Sequence, residues 1–262
     1  MTSQEKLDEW EQAEKKRSAH EASHTDPASL IMDGRVIDRY LNPREETNYP
    51  LEYSYYLLGD VRGKDVLDLG CGNGMNSVLL SKREAKVIAM DLSPDLLTLA
   101  KQRAQANDVD DSITYLGSSA HDIQLPDESV DIVFGMAILH HLDLKLAAKE
   151  VHRVLRKGGR GIFQEPVRNS KVITLVRGLI PYRSPDVSPN ERPLTDSELR
   201  SFGEGFSKYH ARGFWLPYIN LARILPIYER LIHPMARFDG MLLRRIPVLG
   251  HYTGVRVIEL TK

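Results

Sequence analysis

Val66-Leu-Asp-Leu-Gly-Cys-Gly-Asn-Gly74 is the stretch that decides the fold of this chain. The run from Asp65 to Leu69 predicts a short buried strand. The three glycines after it predict a sharp turn that lets the backbone approach a ligand closely, because no Cβ stands in the way. Met75 to Lys82 then predicts a helix. A strand, a glycine turn and a helix in this order are typical of the first unit of a parallel α/β sheet.

The alternation of strands and helices continues along the chain. The sequence predicts further strands at residues 86–90, 113–116, 130–134, 160–164, 205–215 and 254–260. One helix begins at Ser93-Pro94, since proline suits the backbone angle of a first helical turn, and runs to about Asn107. Another begins at Asp143 and ends at Gly158-Gly159. This pattern predicts an α/β fold with a doubly wound, mostly parallel seven-stranded sheet of the Rossmann-like kind.

Composition places the chain among ordinary globular proteins. It has 262 residues, 42% hydrophobic and 27% charged, and its 35 basic and 36 acidic residues give a net charge of −1. A single cysteine excludes a disulfide scaffold, and the hydrophobic content excludes disorder. No apolar run approaches the roughly 18–20 residues of a membrane span, and the polar start Met1-Thr-Ser-Gln-Glu-Lys is unlike a signal peptide. We therefore expect a cytoplasmic protein and, at near-zero net charge, no nucleic-acid partner.

The two ends of the chain differ from its centre. Residues 1–45 predict a polar N-terminal helical arm, and residues 46–262 predict the main domain, with a cofactor-binding core at 65–165. The arm carries a thin apolar stripe at helical spacing, made by Leu7, Trp10 and Ala13. Residues 166–253 predict a helical cap or lid inserted before the last strand, and include a proline-rich loop at 181–193.

The segment 214–249 mixes apolar and arginine residues. From Ser207 to Lys262 the chain has nine basic residues against three acidic ones, a surplus of six. This composition fits helices whose apolar face covers the sheet, which is the commoner use of amphipathic helices. It also fits a weak membrane-surface contact or a lid over an anionic or lipid-like acceptor.

Two acids beside the glycine turn indicate the kind of ligand. Asp91 closes the second strand about 20 residues after the turn, where an acid accepts hydrogen bonds from ribose hydroxyls. A dinucleotide fingerprint needs a third glycine where Met75 stands. Asp68 repels a pyrophosphate but attracts a cation, and S-adenosylmethionine presents an ammonium and a sulfonium. Taken alone, the turn also fits an ordinary βα connection of a flavodoxin-like fold.

Together with blocks further along, residues 65–165 resemble the small-molecule branch of the class I S-adenosylmethionine-dependent methyltransferases. The blocks are Val66 to Gly74, Asp127-Glu-Ser-Val-Asp131, Leu139-His-His-Leu142 and Glu150 to Gly159. The resemblance implies that Asp68 and the turn hold the amino-acid end of the cofactor. It also implies that Asp91 binds the ribose, that Leu92 flanks the adenine and that the seventh strand is antiparallel.

One position departs from the family pattern. Ser119 stands where the family usually has an acid that contacts the adenine amino group. A hydroxyl accepts a hydrogen bond more weakly than a carboxylate, and Asp122 is a candidate substitute. The expected cofactor-binding residues are Asp68, Gly70, Cys71, Gly72, Gly74, Asp91, Leu92, Ser119, Ala120 and Met136. No metal site is expected.

Candidate catalytic residues follow the fourth and fifth strands, since ligands of doubly wound sheets bind beyond the carboxyl ends of the strands. They are His140, His141 and Glu165. Histidine is suited to act as a base near neutral pH. Because the two histidines are adjacent in sequence, we expect them to point apart, with one in the pocket. Each of the three residues also fits a structural or solvent-exposed role.

Three further features have weaker interpretations. Tyr49, Tyr53, Tyr55 and Tyr56 precede the first strand and predict either an acceptor pocket or core packing. His20-Glu-Ala-Ser-His24 matches a zinc motif, but its polar flanks cannot bury a site, so we interpret the match as coincidence. Cys71, between two glycines of the turn, predicts packing rather than a nucleophile.

The sequence thus predicts an S-adenosylmethionine-dependent methyltransferase that moves a methyl group to a small-molecule or lipid-like acceptor at oxygen. The alternative is a non-catalytic sensor or partner module that binds the cofactor on the same fold. A nicotinamide-dependent oxidoreductase is disfavoured by Met75 in place of the third glycine. No oligomeric state is predicted.

Overall fold

The computed structural model describes residues 26–170, 192–222 and 227–262, together with residues 11, 12, 15 and 18. Its strands are β1 (Asp65–Leu69), β2 (Lys86–Asp91), β3 (Ile113–Gly117), β4 (Val130–Met136), β5 (Leu155–Pro166), β6 (Lys208–Phe214) and β7 (Val255–Thr261). They form one sheet in the order β3-β2-β1-β4-β5-β7-β6, in which β7 alone runs in the direction opposite to the other six strands. The predicted doubly wound, mostly parallel seven-stranded fold is confirmed.

Helices cover both faces of the sheet. In the described ranges they are α1 (Gly34–Leu41), α2 (Pro50–Leu58), α3 (Met75–Lys82), α4 (Pro94–Ala106), α5 (Leu144–Val154), α6 (Asp196–Phe202), α7 (Pro217–Ala222) and α8 (Tyr228–Arg245). Two of them begin as predicted: Ser93 Oγ accepts a hydrogen bond from the N–H of Leu96, and Asp143 accepts from the first turn of α5. These caps satisfy N–H groups that have no partner inside the helix.

The predicted end of α5 at Gly158-Gly159 is wrong. The helix ends at Val154, and Leu155 already has extended backbone angles and pairs with Val130. The glycines instead lie in an irregular part of β5, where the pairing register with β4 shifts and Gly158 has a φ of +74°. Glycine adopts this conformation without the steric cost of a Cβ, so the pair marks a bulge rather than a helix end.

The core lies on both faces of the sheet because alternate residues of a strand point to opposite sides. Leu67 and Leu69 pack into one buried layer with residues of α5 and α6. Val66 packs into the other layer with residues of α2, α3 and α4. The two layers fix the position of β1, and its carboxyl end leads directly into the glycine turn.

Several predictions fall on parts of the chain outside the described residues. These parts include the arm stripe of Leu7, Trp10 and Ala13, the His20–His24 motif and most of the proline-rich loop. The domain boundary after residue 45 and the extent of the cap at 166–253 stay predictions. None of the described helices has both the length and the apolar character needed to cross a bilayer. The cytoplasmic location also stays a prediction.

Candidate active site

A cavity of about 420 Å³ opens at the carboxyl ends of β1, β2, β3 and β4. This is the edge at which doubly wound sheets bind ligands, and the volume is in the range of small-molecule and cofactor sites. Of the residues predicted from the sequence, those that line it are Gly70, Cys71, Gly72, Asp91, Leu92, Ser119, Ala120, Met136, His140 and His141. The remaining three, Asp68, Gly74 and Glu165, are not among its lining residues.

Two glycines of the turn have different tasks. Gly72 lines the cavity at a φ of +52°, and among the described residues none beyond its two chain neighbours would lie within 4 Å of an added Cβ. Gly74 precedes the first residue of α3 at a φ of +80°, and an added Cβ would lie 2.7 Å from Ala100 Cα. Gly72 therefore keeps the wall of the cavity open, whereas Gly74 allows α3 to pack closely on α4.

Asp91 joins the glycine turn to the start of α4. Its Oδ2 accepts a hydrogen bond of 3.0 Å from the N–H of Gly72, and its Oδ1 accepts one of 2.9 Å from the N–H of Ser93. The carboxylate is half-buried and lines the cavity. It thus places an acceptor beside the turn, where the hydroxyls of a ribose would donate.

Asp68 and Cys71 are buried at the base of the turn. Asp68 is 1% exposed, and its Oδ2 accepts a 2.6 Å hydrogen bond from Ser77 Oγ. Removal from water disfavours the charged form and raises the pKa of Asp68 to about 7. Asp68 thus supports α3 from beneath the turn through this hydrogen bond. Burial also raises the pKa of the Cys71 thiol, as expected of a packing residue.

The segment after β3 contributes Ser118, Ser119, Ala120 and His121 to the wall. Asp122 does not replace the acid that is missing at Ser119. Its side chain is exposed, outside the lining, and accepts from Gln124 Nε2 at 2.9 Å. The acid that meets Ser119 is Glu11 of the N-terminal arm, whose Oε1 accepts from Ser119 Oγ at 2.5 Å.

His140 and His141 lie side by side, so the expectation that they point apart is wrong. Their ring centroids are 4.0 Å apart, and both residues line the cavity. The two residues belong to a single 3₁₀ turn, Leu139–His141, between β4 and α5. The structure therefore brings two imidazoles to the end of the cavity next to β4.

Glu165 lies behind His140 and orients it. The carboxyl group is 0% exposed; Oε1 accepts from the N–H groups of Ile138 and Leu139, and Oε2 lies 2.8 Å from His140 Nδ1. Because Glu165 accepts at Oε2, the proton of the neutral His140 ring is on Nδ1, and Nε2 keeps its lone pair. Glu165 is thus a positioning residue in this structure.

The four tyrosines before β1 are not among the lining residues of the cavity. Tyr53 and Tyr55 are buried in the core, and Tyr55 OH donates to Asn76 Oδ1 at 3.1 Å. Tyr49 hydrogen-bonds to His233, and Tyr56 OH donates to Glu45. Of the two interpretations made from the sequence, the contacts favour packing.

The wall also contains residues that sequence reasoning did not select, among them Glu11, Lys15, Ser18 and His121. The first three have the spacing i, i+4, i+7, which places them on one face of a helix. This spacing was available in the sequence, but polar residues do not stand out in a polar arm. His121 lies two residues after Ser119 and was not singled out.

Comparison with known proteins assigns the central part of the chain. Residues 67–163 match the family described as "Methyltransferase domain". A malonyl-[acyl-carrier protein] O-methyltransferase of Serratia marcescens is 36% identical over 102 residues, which are 38% of this chain and 38% of that protein. A ubiquinone biosynthesis O-methyltransferase of Coxiella burnetii is 30% identical over 152 residues, 55% of this chain and 63% of that protein. The chain thus spans less than two thirds of the length of these curated relatives.

A solved structure shares the fold. Geranyl diphosphate methyltransferase, determined in complex with geranyl diphosphate and sinefungin, superposes with a TM-score of 0.55. It is 19% identical and covers 79% of this chain and 76% of that chain.

The sheet order, the antiparallel β7 and a cavity beside the G-x-G-x-G turn define a Rossmann-like methyltransferase fold. The matched segment contains the turn, Asp91 and both histidines. Residues 67–163 thus form a methyltransferase domain, and the resemblance indicated by the motifs is confirmed for this segment.

Proposed function

We propose that this protein is an S-adenosylmethionine-dependent methyltransferase that acts at an oxygen atom of a small, lipid-like acceptor. The observation that carries the proposal is a single cavity whose wall contains the glycine turn, Asp91, His140 and His141. The O-methyltransferases of Serratia and Coxiella among the relatives support methyl transfer to oxygen.

The chemistry of the wall fits the parts of this cofactor in order along the sheet. The turn from Gly70 to Asn73 follows β1 and would hold the amino-acid end. Asp91 follows β2 and would accept from the ribose hydroxyls. Leu92 and Ala120 supply apolar surface on the β3 side, which suits the adenine. Ser119, next to Ala120 in the wall, adds a hydroxyl group to this apolar surface.

When bound, S-adenosylmethionine supplies a methyl group on a sulfonium, a good leaving group. The residues of the chain then have to align the acceptor oxygen and take its proton. His140 is oriented for this task because Glu165 holds its Nδ1 and leaves Nε2 as the accepting nitrogen. His141, beside it in the wall, is the second candidate base.

Calorimetry with S-adenosylhomocysteine tests cofactor binding. We expect the wild-type protein to bind and Asp91→Ala to weaken binding at least about ten-fold, since the variant loses a charged acceptor. Asp111→Ala is the matched control, because Asp111 is exposed and not part of the cavity lining. Absence of binding by the wild type, or unchanged binding by Asp91→Ala, would refute the proposal.

Methyl transfer itself is separated from a sensor role by incubating the protein with labelled S-adenosylmethionine and cell extract. A labelled small molecule that depends on the protein supports the enzyme. Binding without any labelled product supports the non-catalytic module.

The lipid-like character of the acceptor is supported by the surface that follows α8. Ile246, Val248 and Tyr252 are exposed to 45%, 71% and 43%, and they come directly after Arg244 and Arg245. Exposed apolar side chains beside arginines suit an anionic bilayer. We propose that this surface contacts such a membrane.

Sedimentation with vesicles tests the membrane contact. We expect binding to phosphatidylcholine vesicles that contain phosphatidylglycerol, and loss of binding in Val248→Asp and in Arg244→Glu/Arg245→Glu. Val36→Asp is the control, since Val36 is 39% exposed on α1. Equal sedimentation of all variants would contradict the proposal.

A further inference from the structure

The N-terminal arm contributes part of the cavity wall. Residues 11, 12, 15 and 18 are helical, and Glu11, Lys15 and Ser18 line the cavity from one helix face. This helix lies outside the segment that matches the methyltransferase family, residues 67–163. The cavity is therefore completed by an element that the family comparison does not cover.

The sheet order shows which end of the cavity the arm meets. The strands lie in the order β3-β2-β1-β4, so the carboxyl ends of β3 and β4 are separated by those of β2 and β1. The glycine turn and Asp91 lie between them. Glu11 contacts Ser119 and His121, both after β3. A nucleoside with its ribose at Asp91 and its reactive end at the histidines would place its base beside Glu11.

Two side chains orient the carboxylate of Glu11. His121 Nε2 accepts a 2.9 Å hydrogen bond from the N–H of Asp143, so the proton of the neutral ring is on Nδ1. Nδ1 then donates to Glu11 Oε1 at 3.1 Å, and Ser119 Oγ donates to the same oxygen at 2.5 Å. Both contacts use Oε1. The second oxygen, Oε2, can accept from a ligand without breaking either of them.

We propose that Glu11 is a specificity-determining residue that accepts a hydrogen bond from the exocyclic amino group of the cofactor's adenine. The inference rests on the proposed function and deepens it. The Glu11 side chain is 23% exposed, so water competes only in part for the carboxylate. A base with a carbonyl oxygen at this position would face the carboxylate with a second acceptor, which disfavours it. The arm would thus select an adenine nucleoside.

Calorimetry on the full chain with two ligands tests this role. The ligands are S-adenosylhomocysteine and its analogue with a hydrogen in place of the adenine amino group. We expect Glu11→Ala to weaken S-adenosylhomocysteine about ten-fold or more, since a hydrogen bond to a charged group is lost. The analogue makes no such bond, so its affinity should change less than about two-fold. Gln12→Ala is the control on the same helix, because Gln12 is exposed.

A second variant separates recognition of the amino group from docking of the arm. In Glu11→Ala/Ser119→Glu the acid is carried by the segment after β3 instead of the arm. We expect this variant to regain the preference for S-adenosylhomocysteine over the analogue, even where the arm no longer docks.

Equal weakening of both ligands by Glu11→Ala, with no preference regained in the double variant, would overturn the inference and leave the arm as a plain cover. Unchanged affinity for S-adenosylhomocysteine in Glu11→Ala would also overturn it, with the proposed function intact. Failure of the wild type to bind S-adenosylhomocysteine would refute the proposed function and this inference with it.

Discussion

Glu165→Gln is expected to invert the tautomer of His140. Both carboxylate oxygens are in use, Oε1 by the N–H groups of Ile138 and Leu139 and Oε2 by His140 Nδ1. A carboxamide offers one accepting oxygen and an NH₂ that only donates. If its oxygen keeps the two backbone donors, the NH₂ faces Nδ1. The ring then accepts at Nδ1 and carries its proton on Nε2, the nitrogen that would act as base.

The size of the effect follows from the three hydrogen bonds of a fully buried group. Hydrogen bonds to a charged partner contribute about 1.5–3 kcal/mol each, and neutral ones about 0.5–1.5 kcal/mol. Because glutamine keeps the geometry but not the charge, we expect the free energy of unfolding to fall by about 1–3 kcal/mol. Each kcal/mol lowers Tm by about 2–4 °C in a chain of this size. A general base contributes about 10²–10⁴ to the rate, so methyl transfer should fall by at least about 100-fold.

The tautomer can be measured without knowing the acceptor. Long-range ¹⁵N–¹H correlation spectra of the histidine side chains show which ring nitrogen carries the proton, and thermal unfolding of the same samples gives Tm. Glu259→Gln is the matched control, since Glu259 lies on β7 and pairs with Arg160 at 3.2 Å. A His140 ring that keeps its proton on Nδ1 in Glu165→Gln, together with wild-type Tm, would show that the carboxylate does not set the tautomer.

Two further predictions concern the glycine turn and the acid beneath it. In urea unfolding, Gly74→Ala should destabilise the protein by more than Gly72→Ala. The added Cβ at position 74 would meet Ala100, whereas at position 72 the cost is only the left-handed φ, about 1–2 kcal/mol. The opposite order would contradict this packing. Burial raises the pKa of Asp68 from 3.8 to about 7, so the folded state binds this proton more tightly than the unfolded state. The resulting contribution to stability is present below about pH 4 and is lost as the pH rises towards 7. Asp68→Asn should remove this part of the pH dependence between pH 4 and 7, and a wild-type slope in the variant would show that Asp68 is not its source.

Local sequence was sufficient for the parts of the site that depend on backbone geometry. The glycine turn and Asp91 are set by a strand, a turn and an acid close together in the chain, and the structure places them as predicted. The predicted end of α5 was wrong because glycine is common both at helix ends and at β-bulges, and only the pairing with β4 distinguishes the two cases. The prediction that the two histidines point apart used only their adjacency in sequence. It did not take account of the 3₁₀ turn that places both residues at the cavity.

Contacts between distant parts of the chain could not be inferred in this way. Glu165 lies at the carboxyl end of the fifth strand, as a catalytic candidate should, yet its carboxyl group faces His140 across 25 positions of sequence. Glu11 reaches Ser119 across 108 positions, from an arm whose polar composition predicts only a solvated surface. Such pairs are decided by tertiary packing, in which a polar residue is recognised as functional only once its partner is known.

The boundary of the family match has a consequence for the acceptor. Residues 67–163 contain the turn, Asp91 and the histidines, so the matched segment carries most of the residues proposed to bind the cofactor and to act as the base. Glu165, Glu11 and the arginine-rich surface after α8 lie outside it. If the proposed roles are correct, the residues that orient the base, select the nucleoside and bring the protein to its acceptor all lie outside the matched segment. The acceptor of this chain must therefore be sought with the full chain, arm and cap included, and not by transfer from proteins that share the matched segment alone.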